Sequence, residues 1–439
     1  MKKQVFPLLL ITLLLILGCK NTNTEIIEDT VEIEETFSLP DGAIPITYYR
    51  NHIYFDSETD SVKGNFIFDT GASGLLIDST FYANNYHTNS TYRTTKIHGV
   101  GTGYQSIISI NKIFNFNFSN YTYQALGADV IKLKTITGDL SDGIIGESFF
   151  SNQKYLMEIN YVHEYIVLHS DTNTIDLSTY SKIKIKKQFQ SIKSWRFDDK
   201  DIKEEASKFL VPATIQINDS LRITKDFILD IGAGGSIYLT TKVAKEHNLS
   251  ANIIDKFEYY NTSSGIGGNT SGVTFTANFV EIGNYKLQDV IMSYSNDKSG
   301  ALAGINSYNS KLGNDYGGLL GNLILEHFDI VIDFSDNAFL YLKPNQNYDK
   351  PFEFSKLGFS YKNRNKTLFA WIVTGFCKDS PAEKSGLQVN DEIVFVNGVS
   401  ILDISYEEEE NFLKQLDRIE LVILRNGEEM TFEFELFEN

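Results

Sequence analysis

The 439-residue sequence holds only two cysteines, Cys19 and Cys377. Cys19 falls in an apolar leader, so the remaining chain can form no internal disulfide. Cys377 has no His/Asn partner pattern around it, which argues for a small core or loop residue and against a catalytic thiol. The seven histidines show no metal-ligand spacing and no His-Glu-x-x-His arrangement. No metal and no cofactor are therefore expected. Positive charge is also short: 39 Lys and Arg stand against 57 Asp and Glu, a formal charge of −18 that argues against a nucleic-acid partner. The apolar run from Phe6 to Leu17 is too short for a spanning helix. With only 7 prolines, 42% hydrophobic and 13% aromatic residues, the rest has the composition of an ordinary globular protein.

What is present begins with Met1-Lys2-Lys3, the apolar run and Gly18-Cys19, the layout of a secretory signal over residues 1–19. Ile16-Leu17-Gly18-Cys19 resembles a bacterial lipobox, which would make Cys19 the lipidated first residue of an exported, cell-envelope protein. The membrane contact would then be a lipid anchor, at the outer membrane, its periplasmic side or the cell surface. Residues 20–37 are polar and acidic with little to bury, and read as a flexible tether.

From residue 38 the many Tyr, Phe, Ile and Thr favour strands, and the pattern repeats. Phe66-Ile67-Phe68-Asp69-Thr70-Gly71-Ala72 and Phe227-Ile228-Leu229-Asp230-Ile231-Gly232-Ala233 are each an apolar strand ending in Asp-x-Gly-Ala. Each is followed by a Gly-flanked turn (Gly99, Gly101 and Gly103; Gly265 and Gly267), then by Gly-Ile-Ile-Gly at 143–146 or Gly-Leu-Leu-Gly at 318–321, then by an apolar strand. The same features in the same order, twice, imply a duplication. Two carboxylates held close in a dry cleft cannot both ionise cheaply, so they share a proton; one can act as base while the other acts as acid.

These motifs resemble the aspartic proteases of the pepsin and retroviral type, closest to bacterial two-lobed retropepsin-like proteins that carry a PDZ domain. The resemblance implies a mainly β, two-lobed acid protease fold with duplicated barrel-like lobes at 38–178 and 179–348. It also implies an Asp69–Asp230 catalytic dyad, with Thr70, Gly71 and Gly232 supporting the dyad loops. The Gly99–Gly103 and Gly265–Gly268 turns become flap candidates, with plain hairpin turns as the alternative. The implied activity is endopeptidase action on a protein or peptide in the inter-lobe cleft of a monomer. One position departs from the pattern: Ile231 stands where a Thr or Ser hydroxyl would lock the two loops together. A catalytically inactive peptide-binding or scaffold lipoprotein is therefore the alternative.

Residues 349–439 change texture. Asp379-Ser380-Pro381-Ala382 through Asn390-Asp391-Glu392-Ile393-Val394-Phe395-Val396-Asn397-Gly398 read as a short helix, a turn and a buried strand ending in a tight turn. The segment resembles a bacterial periplasmic PDZ domain. That resemblance makes Leu357, Gly358 and Phe359 the carboxylate loop for a peptide or protein C-terminus. Ser405 with Glu407–Glu410 reads as a capping box with acids in the first turn of a helix.

Overall fold

Alternating β-branched and aromatic residues fold almost everywhere into strands in the computed structural model, which describes residues 37–86, 92–153, 155–197, 200–304 and 315–437. From Leu39 onward they form one unit. The strand Val62–Asp69 is the second arm of a hairpin with His52–Thr59, closed at Asp60-Ser61, both at positive φ. Its last apolar residues, Phe66, Ile67 and Phe68, are buried. It runs parallel to Gly143–Gly146, with Ile145 opposite Phe68 and Gly146 opposite Asp69. That short strand in turn lies antiparallel to Leu75–Asp78. The second half repeats the arrangement: Leu221–Leu229 runs parallel to Tyr316–Leu320, which lies antiparallel to Ile237–Leu239. Strands boxed in on both edges and both faces carry continuous apolar runs, which is why Gly-Ile-Ile-Gly and Gly-Gly-Leu-Leu lack polar alternation.

A six-stranded sheet joins the halves. Leu156–Asn160 from the first half pairs antiparallel with Phe328–Asp333 from the second, and Ile44–Pro45 and Ser181–Lys184 form the outer edges. Behind it the core is continuous: Phe150 stacks on Phe334 at 5.0 Å between ring centres, and Phe209 meets Phe334 edge-on at 5.1 Å. Large rings interdigitating this way bury the seam between the halves.

The C-terminal segment contributes six strands from Phe359 to Glu435 and the helices Pro381–Lys384 and Tyr406–Lys414, around a core of its own that includes Trp371, Val373, Ile393 and Leu421. Asn390 has φ 74, a left-handed position Asn tolerates, and Asn397-Gly398 makes the tight turn. The strand Ala370–Cys377 continues into the second half's sheet by pairing with Lys256–Gly265, Tyr259 opposite Cys377 and Tyr260 opposite Phe376.

Candidate functional site

Asp69 and Asp230 end equivalent strands and meet across the seam. A Cβ on Gly71 would lie 2.5 Å from Asp230 Oδ1, and one on Gly232 would overlap the Asp69 carboxylate. Glycine is required at both places by this close approach. The two carboxyl groups hydrogen-bond each other. Asp69 Oδ1 accepts from the backbone N–H of Gly71 at 2.6 Å and of Ala72 at 2.9 Å; Asp230 Oδ1 accepts from Gly232 N–H at 3.0 Å. Burial raises the Asp230 pKa well above the ordinary carboxylate value, and the Asp69 charge adds to it, while Lys208 and the Gly232 N–H act against it.

The buried Thr70 hydroxyl bridges the halves, donating to Leu229 O at 2.7 Å and accepting from Ile231 N–H at 3.1 Å. Ile231 is fully buried and returns no such bond. Lys208, which the sequence reading passed over, reaches the first loop instead. Its buried ammonium donates to Thr70 O at 3.3 Å and to Gly71 O. Burial lowers the Lys208 pKa, and Asp69, Asp230 and Glu147 pull it back up. Glu147, also buried, accepts from Ser207 N–H at 2.8 Å and from the Ser151 hydroxyl. Burial raises its pKa against these bonds and against Lys208.

The opposite side of the seam carries the counterpart. Tyr54 pairs with Ile67 and Leu210 with Ile228, each partner two residues before its Asp, so His52 corresponds to Lys208. His52 lies against Gly234, and Asn51 Nδ2 donates to Gly234 O at 2.9 Å. Asn322, at the position matching Glu147, donates to Ile231 O at 2.7 Å and Asn51 O at 2.8 Å. Burial lowers the His52 pKa, so its neutral ring donates from Nδ1 to Arg50 O at 2.6 Å. The only sequence signal for these groups was polar residues inside apolar runs, such as Lys208 between Ala206 and Leu210.

The two Gly-flanked turns are brought together. Gly103 N–H donates to Gly267 O and Gly267 N–H to Val100 O, both at 2.8 Å. Val100 of the first turn packs on the second half's cluster with Ile228 and Leu319, and Ile266 of the second turn packs on the first half's cluster with Ile67, Ala72 and Ile144.

In the C-terminal segment, the strand Phe359–Arg364 pairs on one edge with Ala370–Cys377, and among the described residues no strand covers its other edge. Helix Tyr406–Lys414 faces it: Tyr361 OH donates to Glu409 Oε1 at 2.7 Å and Asn363 Nδ2 to Glu409 Oε2 at 2.6 Å. Gly358, at φ 69, turns the chain into that strand. The sequence pattern of the PDZ family matches residues 349–424. Residues 349–424 are a PDZ domain. A PDZ domain binds a peptide or a protein C-terminus, and Leu357, Gly358 and Phe359 stand at the start of its edge strand. Comparison with curated proteins finds no significant match. Within the PDZ domain the capping box is present: Ser405 accepts from Glu408 N–H at 3.2 Å, and Glu407, Glu408 and Glu409 fill the first turn, Glu409 being also buried and bonded. Burial raises the pKa of Cys377, which leaves it a thiol. Cys19 lies outside the described residues.

Proposed function

We propose that the chain is an aspartic endopeptidase whose two halves act as the two lobes, at 38–178 and 179–348, of an acid protease fold, with Asp69 and Asp230 as its catalytic dyad. The observation that carries this reading is the mutual contact of the two carboxyl groups at the ends of equivalent strands. Asp230 holds the shared proton, and Asp69, with two backbone donors on one oxygen, takes a proton from a bound water. The water oxygen attacks the scissile carbonyl carbon while Asp230 gives its proton to the carbonyl oxygen. As the tetrahedral intermediate collapses, the C–N bond breaks, the proton taken by Asp69 passes to the leaving amine, and one hydroxyl of the intermediate returns its proton to Asp230, which restores the starting dyad. The interlocked turns are the lids of the cleft, and the PDZ domain docks a partner or substrate. Export and a lipid anchor at Cys19 belong to the same proposal and rest on the leader sequence alone.

Ile231 favours a second reading, a peptide-binding protein with the same cleft and no cleavage, because one of the two hydroxyl locks is missing. Cleavage of a mixed peptide library by residues 38–439, from acid to neutral pH, separates the two. Under the protease reading, Asp69→Asn and Asp230→Asn each remove activity by roughly 10²–10⁴-fold, and Ile231→Thr raises it. Intact peptides with both the wild type and Ile231→Thr overturn it.

A further inference from the structure

The free edge of the PDZ strand Phe359–Arg364 is occupied by this chain itself. The hairpin Thr47–Tyr49/His52–Thr59 turns at Arg50 and Asn51, both at positive φ, and its tip enters between that strand and helix Tyr406–Lys414. Arg50 Nη1 donates to Tyr361 O at 3.0 Å, its guanidinium lies 4.0 Å over the Tyr361 ring, and Nη2 pairs with Glu409 at 2.6 Å. Two residues along the same edge, Asn363 O accepts from Asp139 N–H at 2.9 Å. Tyr49 meets Tyr406 of the helix edge-on at 5.3 Å. These are the backbone acceptors and the groove a PDZ domain offers to a peptide strand.

The same hairpin tip supports the Asp230 loop. Asn51 donates to Gly234 O, and Asn322 ties Asn51 O to Ile231 O, next to Asp230. One short turn therefore joins the peptide groove of the PDZ domain to one of the two carboxylate loops.

We infer that Arg50 is an internal plug of the PDZ groove, that the groove's own ligand is a C-terminal peptide with an arginine or lysine two residues before its last, and that this ligand displaces the plug and loosens the Asp230 loop. The basic preference follows from Glu409. It is buried, bonded by two neutral donors and paired to a single cation, so a ligand that expels Arg50 has to bring a replacement charge. The position follows from register. An antiparallel strand with its carboxylate at Leu357–Phe359 sets its last residue opposite Phe359 and the residue two before it opposite Tyr361, where Arg50 now sits. A plug that fills the groove most of the time weakens apparent affinity by the inverse of the open fraction.

The test uses the full chain with Asp69→Asn, so that probes stay intact, and two eight-residue peptides ending in Arg-Val-Leu and Gln-Val-Leu. None of its readouts is peptide cleavage, so it stands whether or not the dyad is catalytic. Calorimetric titration is expected to show the arginine peptide binding at least about tenfold tighter than the glutamine peptide, with Arg50→Gln tightening it about tenfold further and Arg50→Lys leaving it near the starting value. Amide exchange across Leu229–Gly235 is expected to speed up when the arginine peptide binds. Equal affinity for the two peptides, or unchanged exchange at saturation, overturns the proposal. The two-peptide comparison needs no change in the groove, so it decides even if Arg50→Gln fails to fold.

Discussion

At the scale of single residues, the seam between the halves is held by an asymmetric set of polar groups. Thr70 supplies one hydroxyl bridge, and where the second would come from position 231 the chain has an apolar side chain. Lys208 crosses from the second half to the carbonyls of the first Asp loop, a tether of different chemistry in the same region. A buried ammonium is costly, and it persists here because carbonyls and three carboxyl groups surround it. Lys208→Met should therefore destabilise by about 1–3 kcal/mol through the carbonyls it leaves unpaired and the uncompensated Glu147. Denaturant unfolding checks this, and adding Glu147→Gln to Lys208→Met should recover part of the loss. The Asp residues were legible from sequence because glycine follows two residues later in an apolar context. Lys208 and His52 were not, because their role depends on which loop lies across from them.

At the scale of elements, the short strands Gly143–Gly146 and Tyr316–Leu320 matter more than their length suggests, since each one sets where an Asp strand ends. Their order in the repeat was readable from sequence, and their pairing with the Asp strands came with the fold. The two Gly-flanked turns were ambiguous in sequence because a glycine-rich hairpin tip looks the same whether it stands alone or meets another. Here each tip hydrogen-bonds the other and inserts a branched side chain into the opposite half's cluster. A Cβ at Gly267 would lie 2.5 Å from Gly101 O and 2.8 Å from Val100 O, both backbone atoms that cannot swing aside. Gly267→Val is therefore expected to part the turns. With two backbone bonds lost, exchange at the Gly103 amide should accelerate roughly tenfold or more. An unchanged Gly103 amide would mean that the turns can separate at little cost.

At the scale of the whole molecule, two carboxyl groups far apart in the chain are brought side by side. Asp230's raised pKa exists because the halves close on each other and bury it beside Asp69. The protonated form is favoured in the folded state, so the stability it contributes is complete at acid pH and is lost as pH rises through the raised pKa. Asp230→Asn should remove that loss: its Tm should gain on the wild type progressively as pH rises, and the two curves should converge in acid. Parallel curves across the range would mean that Asp230 titrates no differently in the folded chain. Besides the Arg50 contacts, the PDZ domain enters the same construction through the backbone pairing with Lys256–Gly265 and the Arg364–Asp139 ion pair at 2.8 Å, with Thr367 N–H donating to Asp139 at 2.7 Å.

The strand-rich texture, the repeated Asp-x-Gly-Ala strands and the PDZ segment are legible in the chain alone, because each is written in local spacing and turn chemistry that neighbouring residues enforce. What fills the PDZ groove, which turn meets which, and the burial of Glu409 in a bonded network came with the folded arrangement. Those outcomes depend on which surfaces the seam brings within hydrogen-bond reach, and charge pairing over 359 positions, as between Arg50 and Glu409, leaves no periodic trace in the chain.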